Sequence, residues 1–106
     1  FDLIIAANLI CRLPDPGHFL QNVKNLLIPG GVLVITTPFS WLEEFTPIEK
    51  WLGGRDESKT AFDGVSEQLK PDFSLLETQD LPMLIREHER KYQWTVCHGS
   101  VWKKDS

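Results

Sequence analysis

Residues 1–37 read FDLIIAANLICRLPDPGHFLQNVKNLLIPGGVLVITT, and this stretch decides the fold. Phe1 to Asn8 is an almost unbroken apolar run, interrupted by Asp2 and ended by a polar residue. A strand with one wet face alternates. A strand covered on both faces, as in a parallel sheet, does not. Asp15-Pro16 has the form of a helix start, with an acid to cap free backbone N–H groups and proline at the first helical position. Phe19, Leu20, Val23, Leu26 and Leu27 share one helical face, and Pro29-Gly30-Gly31 stops that helix. Val32 to Thr37, rich in β-branched residues, is the next strand. Strand, helix, stop and strand make a βαβ unit, with parallel, adjacent strands and a right-handed crossover.

Beyond Thr37 the pattern changes. Residues 38–61 form a long, polar connection containing Gly53-Gly54, and loops of that length in compact domains are often functional. A short helix is expected from Gly64 to Leu69, with Asp63 as its cap and Pro71 past its end. Phe73 to Leu76 reads as a strand. Leu81 to Arg86 is extended, either its continuation or a bent partner. Gln93 to Trp102, aromatic and β-branched, is the last strand. A parallel βαβ unit followed by a helix and two strands able to pair antiparallel is the second half of a doubly wound α/β sheet. The first half is missing from the pattern. No GxGxxG turn opens a helix after a strand, and no acidic ribose-binding residue follows a second strand. Pro29-Gly30-Gly31 precedes a strand, whereas a phosphate- or cofactor-cradling loop follows one. The chain begins at Phe1 inside a buried-looking strand, so we expect it to be a piece of a longer one.

Bulk properties narrow the function. The 106 residues are 42% hydrophobic and 25% charged, enough for one small domain. A net charge of −4 gives no nucleic-acid footprint. Arg86, Arg90 and Lys91 cluster, but Glu87 and Glu89 interrupt them, as on a solvated face. No apolar run approaches the ~20 residues of a membrane span. Cys11 and Cys97 stand alone, without metal or disulfide spacing, which points to a reducing compartment and a cytoplasmic location.

Three segments carry a resemblance: FDLIIAANLICRL, LLIPGGVLVITTPFSWLEEFTPIEKWLGG and DLPMLIREHERKYQWTV. Together they resemble the methyltransferase domain at the C-terminus of 5-histidylcysteine sulfoxide synthase, the 4-mercaptohistidine N1-methyltransferase of ovothiol biosynthesis. PGG followed by LVI is common to many methyltransferases. The block from Trp41 to Pro47, with Glu49 to Gly54, is the specific part. The resemblance implies a Rossmann-like class I methyltransferase sheet, present here as its C-terminal half, with parallel strands and an antiparallel final strand. It implies S-adenosyl-L-methionine as cofactor, and a thiolated histidine, methylated on a ring nitrogen, as small-molecule substrate. The missing N-terminal half of the same domain would then be the chain's partner.

In open α/β sheets the ligand lies beyond the carboxyl ends of the parallel strands. That selects Asn8 after the first strand, and Thr37, Pro38, Phe39 and Trp41 after the second. Asn8 suits the substrate ring or the cofactor's amino acid end, or simply closes its strand. Phe39 and Trp41 suit a wall for the ring or a cation–π partner for the sulfonium, or core packing under the long loop. Glu43 or Glu44 suits the substrate's ammonium group or a ring proton. Adjacent residues face different ways, so at most one points inward, and either alone also reads as a surface charge. Arg86 suits a two-pronged clamp on the substrate carboxylate, or an ion pair with Glu87 or Glu89. Thr46, Trp51 and Tyr92 are candidates for shaping the pocket, and Gly53-Gly54 for a lid hinge or a plain turn. His18, His88 and His98 have no sequence neighbour that would make a metal site or a nucleophile–base pair, and each reads as a structural or surface histidine.

Two other classes stand beside the methyltransferase. A nicotinamide oxidoreductase of similar fold needs a Tyr–Lys relay, but Tyr92 directly follows Lys91, the wrong spacing for a helical dyad. A non-catalytic fragment serving as an interaction module is the other.

Overall fold

The computed structural model describes residues 1–53 and 60–105. β1 spans Leu3–Ala7 and β2 Val32–Thr37, joined through α1, Pro16–Val23. The two strands lie parallel and adjacent, with Leu3 opposite Val32 and Ala7 opposite Thr36. α2 spans Ala61–Leu69, and then β3 (Phe73–His88) and β4 (Lys91–Lys104) form one long hairpin. The sheet order is β1-β2-β4-β3, with β4 antiparallel to both its neighbours. The architecture is thus the α/β half-sheet read from the sequence, with a reversed strand inserted between two that run the same way.

Local chemistry explains the element ends. The Asp15 carboxylate accepts the His18 backbone N–H at 3.1 Å, with Pro16 at the first helical position, as the sequence predicts. α1 proper ends at Val23, earlier than the apolar stripe suggests, and tightens into a 3-10 turn over Lys24–Leu26. The Lys104 ammonium reaches across from β4 to the carbonyls of Lys24 and Leu27, at 2.6 and 2.8 Å. A cation on the orphan carbonyls of a helix end suits their partial negative charge.

α2 corrects the sequence reading in two ways. It starts at Ala61 rather than Gly64, and its cap is Thr60 rather than Asp63. The Thr60 hydroxyl accepts the Asp63 N–H at 3.1 Å, and the Asp63 carboxylate accepts the Thr60 N–H at 3.2 Å. Asp63 is therefore the third helical residue of a reciprocal capping box. α2 also packs hard against the loop before it. A Cβ on Gly64 would run into the Leu52 carbonyl, and one on Gly53, at φ +81°, into that of Thr60. Gly54, the other half of the expected hinge, lies outside the described residues.

The core lies between one face of the sheet and the two helices. Leu33 and Ile35 of β2 and Trp102 of β4 meet Leu20, Val23, Val65 and Leu69, all nearly solvent-free. The opposite face is open. Leu3 and Ile5 of β1, expected to be covered on both sides, are 49% and 61% exposed because no described element packs over them.

β3 is a single strand from Phe73 to His88, so Leu81 to Arg86 continues it. Thr37 pairs with His98, which pairs with Asp80, so residues 81–97 project past the carboxyl ends of β1 and β2 as a two-stranded arm. The arm stretches the molecule to 49 Å and raises the radius of gyration to 14.5 Å. A compact chain of this length would have ~13 Å.

Candidate functional site

The carboxyl ends of the two parallel strands share a feature absent from the rest of the described chain. Asn8, after β1, has φ 52°, and Phe39, after β2, has φ 55°. They are the only non-glycine residues at positive φ among those described. Asparagine tolerates the left-handed region. A phenylalanine there is a true outlier, and such strain, of order 1–3 kcal/mol, gathers at functional sites. Hydrogen bonds hold both residues in place. The Asn8 N–H donates to the Thr36 carbonyl at 2.7 Å, and the Phe39 N–H to the Thr37 hydroxyl at 3.0 Å. The Asn8 side-chain oxygen accepts from the Thr36 hydroxyl at 3.3 Å and from the Cys97 thiol at 3.6 Å. One amide thereby ties β1, β2 and β4 together at the strand ends.

His98 joins this group. It lies on the helix-facing side of β4, opposite Thr37 on one flank and Asp80 on the other. Its ring centroid is 5.5 Å from that of Phe39 and 4.6 Å from that of Phe62 on α2. The sequence reading treats His98 as structural because these rings come from a distant loop and another helix. Only the register of β4 against β2 and β3 brings them together. The alternation of Gln93 to Trp102 could have supplied that register, since Trp102 must face the core and His98, two pairs away, shares its side.

The other sequence candidates lie further out. Trp41 is buried in the core, 8% exposed, and its indole N–H has no hydrogen-bond partner in the structure. Glu43 and Glu44 are both exposed on the turn that follows. That turn is sewn to the start of α1. The Thr46 hydroxyl donates to the Leu13 carbonyl, the Trp51 indole donates to the Thr46 carbonyl at 2.9 Å, and Lys50 pairs with Asp15 at 3.6 Å. Thr46 and Trp51 therefore fasten the loop. The Arg12 guanidinium covers the Phe45 ring at 4.8 Å. Arg86 pairs with Tyr92 near the tip of the arm, on the same face as His98 but three cross-strand pairs beyond it along that face. At ~3.3 Å per residue that is roughly 20 Å, so the structure does not bring Arg86 to Asn8 and Phe39. Glu87 has Lys91 as its partner at 3.0 Å.

The strand ends thus carry two groups: Asn8 with Thr36 and Cys97 on the open face, and Phe39 with His98, and Asp80 across from it, on the helix-facing side. Among the described residues no group of acids, histidines and cysteines could hold a metal, and no helix is long and apolar enough to cross a membrane.

Known proteins share this fold. Aligned relatives include a highly reducing polyketide synthase of Gibberella zeae, 34% identical over 64 residues, which are 57% of this chain and 2% of that protein. The ubiquinone biosynthesis O-methyltransferase of Caulobacter sp. (strain K31) is 35% identical over 37 residues, 35% of this chain and 15% of that protein. Among solved structures, the N-methyltransferase NodS of Bradyrhizobium japonicum WM9, in complex with S-adenosyl-L-homocysteine, superposes with a TM-score of 0.59 at 18% identity. That match covers 100% of this chain and 47% of NodS. An S-adenosylmethionine-dependent methyltransferase of Methanosarcina mazei gives 0.65 at 14% identity, over 99% of this chain and 59% of that one. The chain thus spans about half the length of these structures and a small part of the curated relatives. Over residues 1–94 it matches the family described as methyltransferase domain, and it belongs to that family, whose fold and cofactor are those of the S-adenosylmethionine-dependent methyltransferases.

Proposed function

We propose that this chain is the C-terminal, substrate-side half of an N-methyltransferase that methylates the imidazole ring of a thiolated histidine, the closing step of ovothiol biosynthesis. The observation that carries the reading is the pair of left-handed residues at the strand ends, Asn8 and Phe39, with His98 against Phe39. An aromatic wall with uncharged polar groups suits a flat heteroaromatic ring. The Trp41–Pro47 and Glu49–Gly54 blocks, in the loop just beyond, carry the resemblance to that substrate class.

When bound, S-adenosylmethionine supplies an electrophilic methyl group. The chain's own residues have to position the ring nitrogen in line with the sulfur–carbon bond and keep water out. Good positioning alone lowers such a barrier by ~7–11 kcal/mol. A thiolated imidazole is already nucleophilic at nitrogen. On this reading Phe39 and one of Glu43 and Glu44 are assigned to substrate and Asn8 to both ligands, while Trp41, buried in the core, supports the loop from beneath and Arg86 stands out on the arm, away from the strand ends. The glycine-rich cofactor turn, which this sequence does not contain, comes from elsewhere in the protein. The two buried free cysteines, Cys11 and Cys97, support a cytoplasmic location.

The test is methyl transfer by the full-length protein from S-adenosylmethionine to 5-thiohistidine, with histidine as control. Turnover of the thiolated substrate alone supports the reading, and alanine variants of Phe39, Glu43 and Glu44 then apportion the binding. Cofactor binding without turnover would retain the fold and donor and discard the ovothiol assignment. The relatives named above point to other substrate classes for that case.

A further inference from the structure

We infer that His98 contacts the substrate and accepts its ring proton during methyl transfer, with Asp80 as the residue that positions it; this rests on the substrate reading above. Four observations converge on the ring. His98 is half-buried at the level where β2 ends, opposite Thr37, so it borders the region beyond the strand ends where ligands bind in open sheets. Its ring touches Phe39, the strained residue of the site, and Phe62 of α2, at 5.5 and 4.6 Å, which fixes its plane. Asp80 lies directly across from it on β3, on the same face. Cross-strand partners on one face have Cβ atoms ~5 Å apart; the two side chains are not hydrogen-bonded in this structure, and a rotamer change of the exposed Asp80 brings its carboxylate to the imidazole. Finally, the neighbouring Cys97 points the other way, to Asn8, so the two consecutive residues of β4 meet both ligand-side strand ends.

The groups around His98 are few. β2 presents Thr37, the loop presents Phe39 and α2 presents Phe62, none of which titrates in the working range. β3 presents Asp80. The carboxylate is therefore the one charge facing the imidazole from these elements. In the step itself the lone pair of the substrate's ring nitrogen forms the bond to the methyl carbon. The sulfur–carbon bond breaks, and its electron pair stays on the sulfur. As the new bond forms, the ring's N–H proton passes to the free ring nitrogen of His98, so that no full positive charge builds up on the substrate ring, and the Asp80 carboxylate faces the resulting imidazolium. Mass and charge balance with S-adenosylmethionine as the only co-reactant.

The experiment uses the full-length protein with 5-thiohistidine. His98→Gln keeps a hydrogen-bonding side chain and removes the base, and His98→Phe keeps the aromatic packing and removes both nitrogens. General-base removal costs ~10²–10⁴-fold in kcat. Both variants are expected to show such a loss, with S-adenosylhomocysteine affinity by calorimetry equal to wild type. Asp80→Asn, on an exposed strand, should lower kcat by about tenfold at unchanged KM, a loss of ~1.4 kcal/mol in the transition state. In the wild type, the His98 ring NMR signals should shift when 5-thiohistidine joins the S-adenosylhomocysteine complex. A wild type that leaves 5-thiohistidine unmethylated overturns the substrate reading and this inference together. An active wild type whose folded His98→Gln and His98→Phe variants keep kcat overturns this inference alone. If neither variant folds, an unshifted His98 ring or a fully active Asp80→Asn does the same.

Discussion

Asn8 does two jobs that substitution can separate. Its backbone sits in the left-handed region, and its amide links three strands. Glycine adopts that backbone without strain, so Asn8→Gly should leave the melting temperature of the full-length protein nearly unchanged while weakening S-adenosylhomocysteine binding. Asn8→Val should lower the melting temperature as well, because a β-branched residue there costs ~1–2 kcal/mol. Equal cofactor affinity in wild type and Asn8→Gly, measured by calorimetry, would reduce Asn8 to a strand terminator. The positions of Asn8 and Phe39 at the strand ends were legible from sequence because each follows closely on one of the two parallel strands. His98 was not, because its meaning depends on two rings brought to it by tertiary packing.

At the scale of elements, the helix caps show how far local signals carry. Asp15-Pro16 read correctly because cap and proline adjoin. Thr60 was overlooked because its capping box closes with an aspartate, where glutamate or glutamine is the usual signature. β3 looked interrupted because Glu77 to Asp80 carries polar residues on an exposed edge, where no buried face enforces an apolar pattern. Asp15 also makes α1 sensitive to acid. Its carboxyl is held below the usual 3.8 chiefly by the hydrogen bond from the His18 N–H, opposed next by desolvation and helped to a lesser degree by the Lys50 charge. A depressed carboxyl stabilises the fold above its unfolded value, and that stability is lost as pH falls through the folded value. Asp15→Asn, which still accepts the His18 N–H, should therefore melt below wild type at neutral pH, and the gap should close as pH drops below 3.8. A gap independent of pH in a melting series would show that the charge contributes nothing.

Across the whole molecule the two edges of the sheet differ. β3 carries Pro82, a bulge between Leu75 and Glu77, and several charges, devices that discourage further strand pairing. β1 carries none of these, and its Leu3 and Ile5 stand exposed on the open face. A guarded edge and an unguarded one in the same sheet fit our proposal that the rest of the domain adds beside β1. Ile5→Lys separates the two situations. In the 106-residue chain it should raise solubility, since it breaks an apolar patch. In the full-length protein it should lower the melting temperature and S-adenosylmethionine affinity, because the lysine would be buried. A full-length variant indistinguishable from wild type would mean that this face stays open. Solution scattering, thermal melting and calorimetric cofactor titration of the 106-residue chain together offer a second view, since a cooperative, soluble monomer with micromolar cofactor affinity would contradict the half-domain proposal.

The contact of Gly53 with Thr60 and of Gly64 with Leu52 bears on protein engineering. A methyl group at either position would run into backbone, not into a side chain that could turn aside, and Gly53 also sits at φ +81°. The joint between Leu52, Gly53 and α2 is therefore a fixed point for any redesign: Gly53→Ala and Gly64→Ala are both expected to lower the melting temperature.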